Sequence, residues 1–155
     1  MSLELYNQSN ERAEHKNQLV QKVQSLGLKQ DEYMVISSAA MELLGCDRVS
    51  GDIDILVTED VYDALVTSSR EKGLEEVESS GLKMLNGNGF NIFYDLVVGV
   101  GTEKEVRYLD YYQPVKSSEG VMCMSLSDVM EYKERRGKEK DINDVRLINE
   151  ELNES

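Results

Sequence analysis

The sequence predicts an α+β fold, a mixed sheet flanked by helices, with the last helices packed on its core. Three observations predict it. Short apolar runs alternate with stretches of helical period in the order α-β-α-β-α-β-β-β-α-β-α-α. The chain has 155 residues, the length of one ordinary domain. Its composition, 40% apolar with a single proline (Pro114), suits a globular core and not a collagen-like, mucin-like or disordered chain. No repeat or linker composition divides it, so residues 1–155 read as a single domain, with a core over about 30–100 and a C-terminal helical part over about 125–152.

The elements follow in order. Gln8 to Leu26 has a polar start and apolar Leu19, Val20, Val23 and Leu26 at helical spacing, with Gly27 placed to end it. His15 on this helix, beside Glu14 and Lys16, reads as a surface histidine. Tyr33-Met34-Val35-Ile36 reads as a short buried strand. Ala39 to Leu44 follows as a compact helix, with Ser37 or Ser38 placed to cap it and Gly45 to close it. Asp52 to Val57 is a second strand, and Thr58 caps a helix containing Val61, Ala64, Leu65 and Val66. Leu74–Val77 and Leu82–Leu85 pair as short strands. Asn86-Gly87-Asn88-Gly89 is a turn feeding the long apolar run Phe90 to Val100, expected to be one central strand. Thr102 to Tyr112 is expected to form a short helix and Val121 to Met124 a strand. Ser125 or Ser127 caps a helix reaching Arg136, Gly137 breaks it, and Asp141 to Leu152 forms the last helix.

Charge and cysteine usage exclude several functions. The net charge is −13, and residues 51–100 carry 10 acids against 3 bases. Such a middle third repels a phosphate backbone unless metal ions intervene, which disfavours an extended nucleic-acid groove. A small polyphosphate carried with divalent cations remains compatible. Cys46 and Cys123 lie far apart with no companion histidine at zinc spacing, and read as small buried hydrophobes. The polar start MSLELYNQSNERAEH lacks the basic lead and apolar core of a secretory signal, and no apolar stretch is long enough to span a bilayer. A cytoplasmic, non-membrane protein is expected.

The most informative residues are Gly51-Asp52-Ile53-Asp54-Ile55. On a strand, side chains at i and i+2 share a face, so Asp52 and Asp54 project together while Ile53, Ile55 and Val57 fill the other face. Side-by-side carboxylates repel, and a divalent cation such as Mg²⁺ removes the conflict; a solvated strand end at the sheet rim is the plainer explanation. Asp95 lies within Phe90–Val98, among almost wholly apolar neighbours, so its carboxylate needs a metal, a backbone N–H or a helix cap. If its strand lies beside Asp52–Val57, three carboxylates converge at one sheet edge. Phosphoryl and nucleotidyl transfer need such a triad, with carboxylates on metal ions that hold the triphosphate and one acid activating a hydroxyl. Arg48, just before this pair, is a candidate phosphate contact or a partner of Asp47 or Asp52. The one basic concentration, Lys133 to Lys140, either contacts triphosphate through Lys133 or Lys140 or stabilises the fold through Asp141 and Asp144, which share a helix face.

These residues resemble the nucleotidyltransferase superfamily of polymerase-beta-like fold, particularly small members related to abortive-infection and toxin nucleotidyltransferases. The matching stretches are Val35-Ile36-Ser37-Ser38-Ala39-Ala40, then Arg48-Val49-Ser50-Gly51-Asp52-Ile53-Asp54, and Leu126, Lys133, Arg136 and Lys140-Asp141-Ile142-Asn143-Asp144 in the tail. The resemblance covers roughly residues 32–58 and 90–150. It implies a metal-dependent nucleotidyltransferase that moves an NMP from an NTP to a hydroxyl acceptor with release of pyrophosphate. In that scheme Asp52, Asp54 and Asp95 are the catalytic and metal-binding carboxylates for two Mg²⁺ ions. Ser37, Ser38, Arg48, Lys133 and Lys140 contact the nucleotide (ATP or another NTP). A toxin–antitoxin-like role with a protein partner, or a homo-oligomer, is also implied. One departure matters: the family carries glycine where this chain has Ser37, and a Cβ there crowds an incoming phosphate. The departure supports the alternative of a catalytically inactive nucleotidyltransferase-like domain acting as a binding or regulatory protein.

Overall fold

The computed structural model describes residues 3–79, 81–94, 97–98, 106–107, 111–137 and 139–154. In chain order the elements are α1 (Leu3–Ser25), β1 (Tyr33–Ile36), α2 (Ser37–Leu43), β2 (Ile53–Val57), α3 (Glu59–Thr67), β3 (Glu75–Ser79) and β4 (Leu82–Gly87). They continue with β5 (Phe90–Phe93), β6 (Val97–Val98), β7 (Val106–Arg107), β8 (Val115–Lys116), β9 (Met122–Cys123), α4 (Leu126–Arg136) and α5 (Glu139–Glu154). Seven strands form one mixed sheet in the order β3-β4-β5-β2-β1-β9-β8, and β6 and β7 form a separate antiparallel pair. The fold is α+β, with helices flanking the sheet and the two C-terminal helices packed on the core, as the alternation of periods predicts.

Strand β1 is buried at all four residues, which is why its apolar run is continuous and not alternating. It runs antiparallel to β2, and the register sets Ile36 opposite Asp54. The last residue of β1 therefore meets the first turn of β2. Strand β5 runs parallel to β2 and sets Asn91 beside Asp54. The condition set for carboxylates to converge, that these two strands be neighbours, is met by β2 and β5. Ile53, Ile55 and Val57 are buried as the i, i+2 alternation requires, and Leu56 is buried too.

The C-terminal helices dock through Val129 of α4 and Ile148 of α5, both fully buried, and α4 packs against α2 as well as α5. Thr58 and Ser125 cap α3 and α4, accepting hydrogen bonds from the amides of Val61 and Asp128. The thiols of Cys46 and Cys123 are buried. Burial, with Glu151 and Asp144 nearby, pushes Cys46 up to about 11. Burial, with Glu119, pushes Cys123 up to about 12. Both are protonated packing groups at neutral pH, as their isolation in sequence suggests.

Several expectations are corrected. The run Phe90 to Val100 is not one strand: β5 ends at Phe93, and Val97–Val98 pairs with Val106–Arg107. Of the helix expected over Thr102 to Tyr112, Val106–Arg107 is strand and Tyr111 is helical, while residues 102–105 and 108–110 lie outside the described residues. Helix α1 begins at Leu3 and not at Gln8, and β2 begins at Ile53, leaving Asp52 in the preceding bend. Neither Ser37 nor Ser38 caps α2; Ile36 occupies the cap position with no side-chain hydrogen bond. His15 is not a plain surface histidine, because its ring is held by the buried Glu42. Among the described residues no helix is long and apolar enough to cross a membrane.

Candidate functional site

A cleft of about 270 Å³ opens where β1 ends, β2 begins and the C-terminal helices cross. Ser37, Ser38, Arg48, Gly51, Asp52, Asp54, Asn91, Lys133, Asp141 and Asp144 line it. The strand registers explain the first half of that lining: antiparallel β1 and β2 bring Ser37 next to Asp54, and parallel β5 adds Asn91. The α4–α5 pair supplies the second half. Six of the eight predicted site residues, Ser37, Ser38, Arg48, Asp52, Asp54 and Lys133, therefore share one cavity. Lys140 falls in the first turn of α5, and the placement of its side chain lies outside what the structure describes. Asp95 lies outside the described residues.

Asp52, in the bend before β2, and Asp54, on the strand, both line the cleft and meet one side-chain amide. Asn91 Nδ2 lies 3.0 Å from Asp54 Oδ1 and 3.4 Å from Asp52 Oδ2. The Asn91 carbonyl in turn accepts from Asn86 Nδ2 at 2.6 Å. A relay of two asparagines thus offers N–H groups to the acidic pair. An amide donor reduces the mutual repulsion of two carboxylates without supplying charge.

The basic half is arranged differently. Lys133 Nζ is 2% exposed and sits 3.3 Å from Asp141 Oδ1 and 3.1 Å from Asp144 Oδ2. It also lies 3.4 Å from Ser37 Oγ. Asp144 accepts in addition from Arg48 Nε at 2.9 Å, and Arg48 donates to the Val49 carbonyl at 2.6 Å. Arg48 therefore pairs with neither Asp47 nor Asp52; its carboxylate comes from a helix 96 residues away. Of the two roles open to Lys133, the geometry realises the internal one, with Asp141 and Asp144 on one helix face as their spacing requires. A buried ammonium needs such partners, because an isolated one would cost several kcal/mol.

Ser37 joins the two halves. Its φ is +59°, in the left-handed region where glycine is favoured, and it is 7% exposed. The backbone thus has the conformation glycine favours while carrying a serine side chain whose hydroxyl reaches Lys133. Ser38 lines the cleft beside it, half-buried.

Two residues that sequence reasoning missed belong to this region. Asn91 carries no motif signal; only the β2–β5 register identifies it. Glu42 had one usable signal, a lone acid amid Ala39, Ala40, Met41 and Leu43, all buried. A carboxylate at such a position needs specific partners. Among the described residues no group of three His, Cys, Asp or Glu side chains is arranged to hold a metal ion. Asp52 and Asp54 form a pair of oxygen donors, which suits Mg²⁺ with most of its waters retained.

No family model and no curated protein sequence matches this chain. Solved structures do resemble it. One is ANT(2″)-Ia in complex with adenylyl-2″-tobramycin, at 16% identity and a TM-score of 0.53, with 78% of this chain and 79% of that one covered. Another, from Thermotoga maritima and named only provisionally as a nucleotidyltransferase, has 18% identity and a TM-score of 0.53. There the match covers 100% of this chain and 97% of the other. Likeness at these identities establishes the fold: the sheet and helices described above are arranged as in these two structures.

Proposed function

We propose that this chain is a nucleotidyltransferase-fold domain that acts as a binding or regulatory protein, keeping a cation-binding cleft without turning over a nucleotide. The observation that carries this reading is the closed circuit of Lys133. Its ammonium is held by Asp141 and Asp144, its third contact is the Ser37 hydroxyl, and Arg48 is held by the same Asp144. A triphosphate drawing on Lys133 would have to strip a buried cation from its carboxylates, and breaking a buried pair costs about 3–5 kcal/mol. Ser37 adds a side chain on the left-handed turn beside Asp54. The cleft, with four aspartates against one lysine and one arginine, favours a cation over a bare polyanion.

Asp52 and Asp54 are the residues that would hold Mg²⁺, with Asn91 orienting them. The bound ion would supply charge neutralisation between the pair and any phosphate-bearing ligand. The binding partner would be a protein or a second copy of this chain.

A second reading, metal-dependent transfer of an NMP to a hydroxyl acceptor, is favoured by one observation. Asp52, in the bend before β2, and Asp54, on β2, both meet Asn91 of the parallel strand β5. Incubation with Mg²⁺, labelled ATP or GTP and cell extract separates the two. The binding reading expects no label on small molecules, RNA or protein, together with calorimetric Mg²⁺ binding that the Asp52→Asn/Asp54→Asn double variant loses. Labelled product that this double variant no longer makes would overturn it in favour of transfer.

A further inference from the structure

We infer that Glu42 is a positioning residue for the Asp52–Asp54 pair, acting through Ser50 and itself held by His15. This rests on the reading that the pair takes a divalent cation. From Asp47 to Asp52 the chain crosses solvent between α2 and β2, and Ser50 is the one buried residue in that stretch. Its anchor is a single carboxylate. Glu42 Oε1 accepts from both the Ser50 amide and the Ser50 hydroxyl, each at 2.9 Å. Two residues further on stands Asp52, so the same contact that pins Ser50 fixes where the first metal-facing carboxylate leaves the loop.

The other oxygen of Glu42 is used as well. His15 Nδ1 lies 2.7 Å from Glu42 Oε2. A carboxylate only accepts, so this ring nitrogen carries the proton and donates. Glu42 is 6% exposed, and His15 reaches it from α1, whose Leu19, Val20 and Val23 are buried in the core. The order of dependence is α1, His15, Glu42, Ser50, Asp52. Every link is a hydrogen bond or a peptide bond. Outer residues that orient a metal ligand set affinity without touching the ion, and their loss typically costs about 10–100-fold.

The test uses Mn²⁺ alone as the probe, measured by calorimetry on the full chain, with amide hydrogen exchange over residues 50–53 as a second readout. Glu42→Ala is expected to weaken Mn²⁺ binding by about tenfold or more. It should also speed exchange at residues 50–53 while β1 stays protected. Glu42→Gln keeps a carbonyl for the Ser50 donors and is expected to restore affinity to within about threefold. A purely structural role would lower the melting temperature and leave the affinity of the folded protein where it was. Mn²⁺ affinity and exchange both at wild-type values in Glu42→Ala would overturn the inference. If Glu42→Ala fails to fold, Ser50→Ala decides: faster exchange at 51–53 supports the anchor and unchanged exchange refutes it. Wild-type protein that binds no Mn²⁺ would sink the cation reading alone, and the exchange arm would still judge Glu42.

Discussion

Ser37 combines two opposing demands on one residue. An L side chain at φ +59° costs about 1–2 kcal/mol, and the hydroxyl recovers part of that through its 3.4 Å contact with Lys133. A contact of that length is at the weak end for a hydrogen bond. Ser37→Gly should therefore raise stability by about 0.5–1 kcal/mol despite the larger entropy of an unfolded glycine. Ser37→Ala, which keeps the conformation and loses the hydroxyl, should lower it by a similar amount. Urea unfolding of the two variants checks the contrast; equal midpoints would mean the turn is unstrained. Lys133 behaves differently because its ammonium is buried against both Asp141 and Asp144. Lys133→Ala removes the cation shared by two buried carboxylates and should cost about 3–5 kcal/mol. Lys133→Met fills the volume and should lose less, which the same unfolding curves would read.

Elements were legible wherever their cause was local. Strand β1, the Thr58 and Ser125 caps and the β3–β4 hairpin follow from residues within a few positions of one another. The long apolar run was not legible, because its division depends on distant partners. Strand β5 pairs with Leu56 and Met84 at Phe93, where both neighbouring ladders end, and Val97–Val98 finds its own partner in β7. The site divides in the same way. Asp52 and Asp54 are two residues apart, whereas Arg48–Asp144 and Glu42–His15 join residues 96 and 27 apart. Spacing in the sequence carries no signal for such pairs. One close approach shows how tightly separate elements constrain each other. Gly87 ends β4 with φ +137°, and a Cβ there would lie 2.2 Å from the Gly73 carbonyl oxygen, a backbone atom that cannot rotate away. Gly87→Ala should cost about 3 kcal/mol or more through combined overlap and strain. Gly51→Ala, with nothing within 4 Å, should stay within about 0.5 kcal/mol. Thermal melts of the two variants side by side test the assignment of the hairpin end.

At the scale of the molecule, a net charge of −13 sets the response to salt. Self-repulsion of an acidic surface is screened as ionic strength rises, and the Debye length falls from about 30 Å at 0.01 M to about 10 Å at 0.1 M. The melting temperature should therefore climb with NaCl over that range. The Lys133 circuit opposes this trend only slightly, since a pair 2% exposed is poorly screened. Magnesium should do more than its ionic strength. A ligand bound only by the folded state adds about 1.4 kcal/mol at ten times its dissociation constant. If Asp52 and Asp54 take the ion, MgCl₂ at matched ionic strength should raise the melting temperature above the NaCl value. In Asp52→Asn/Asp54→Asn the two salts should coincide. That variant should also start from a higher melting temperature in low salt, because it removes two negative charges that share the Asn91 amide. Identical Mg²⁺ and Na⁺ curves for the wild type would mean that the cleft binds no divalent ion.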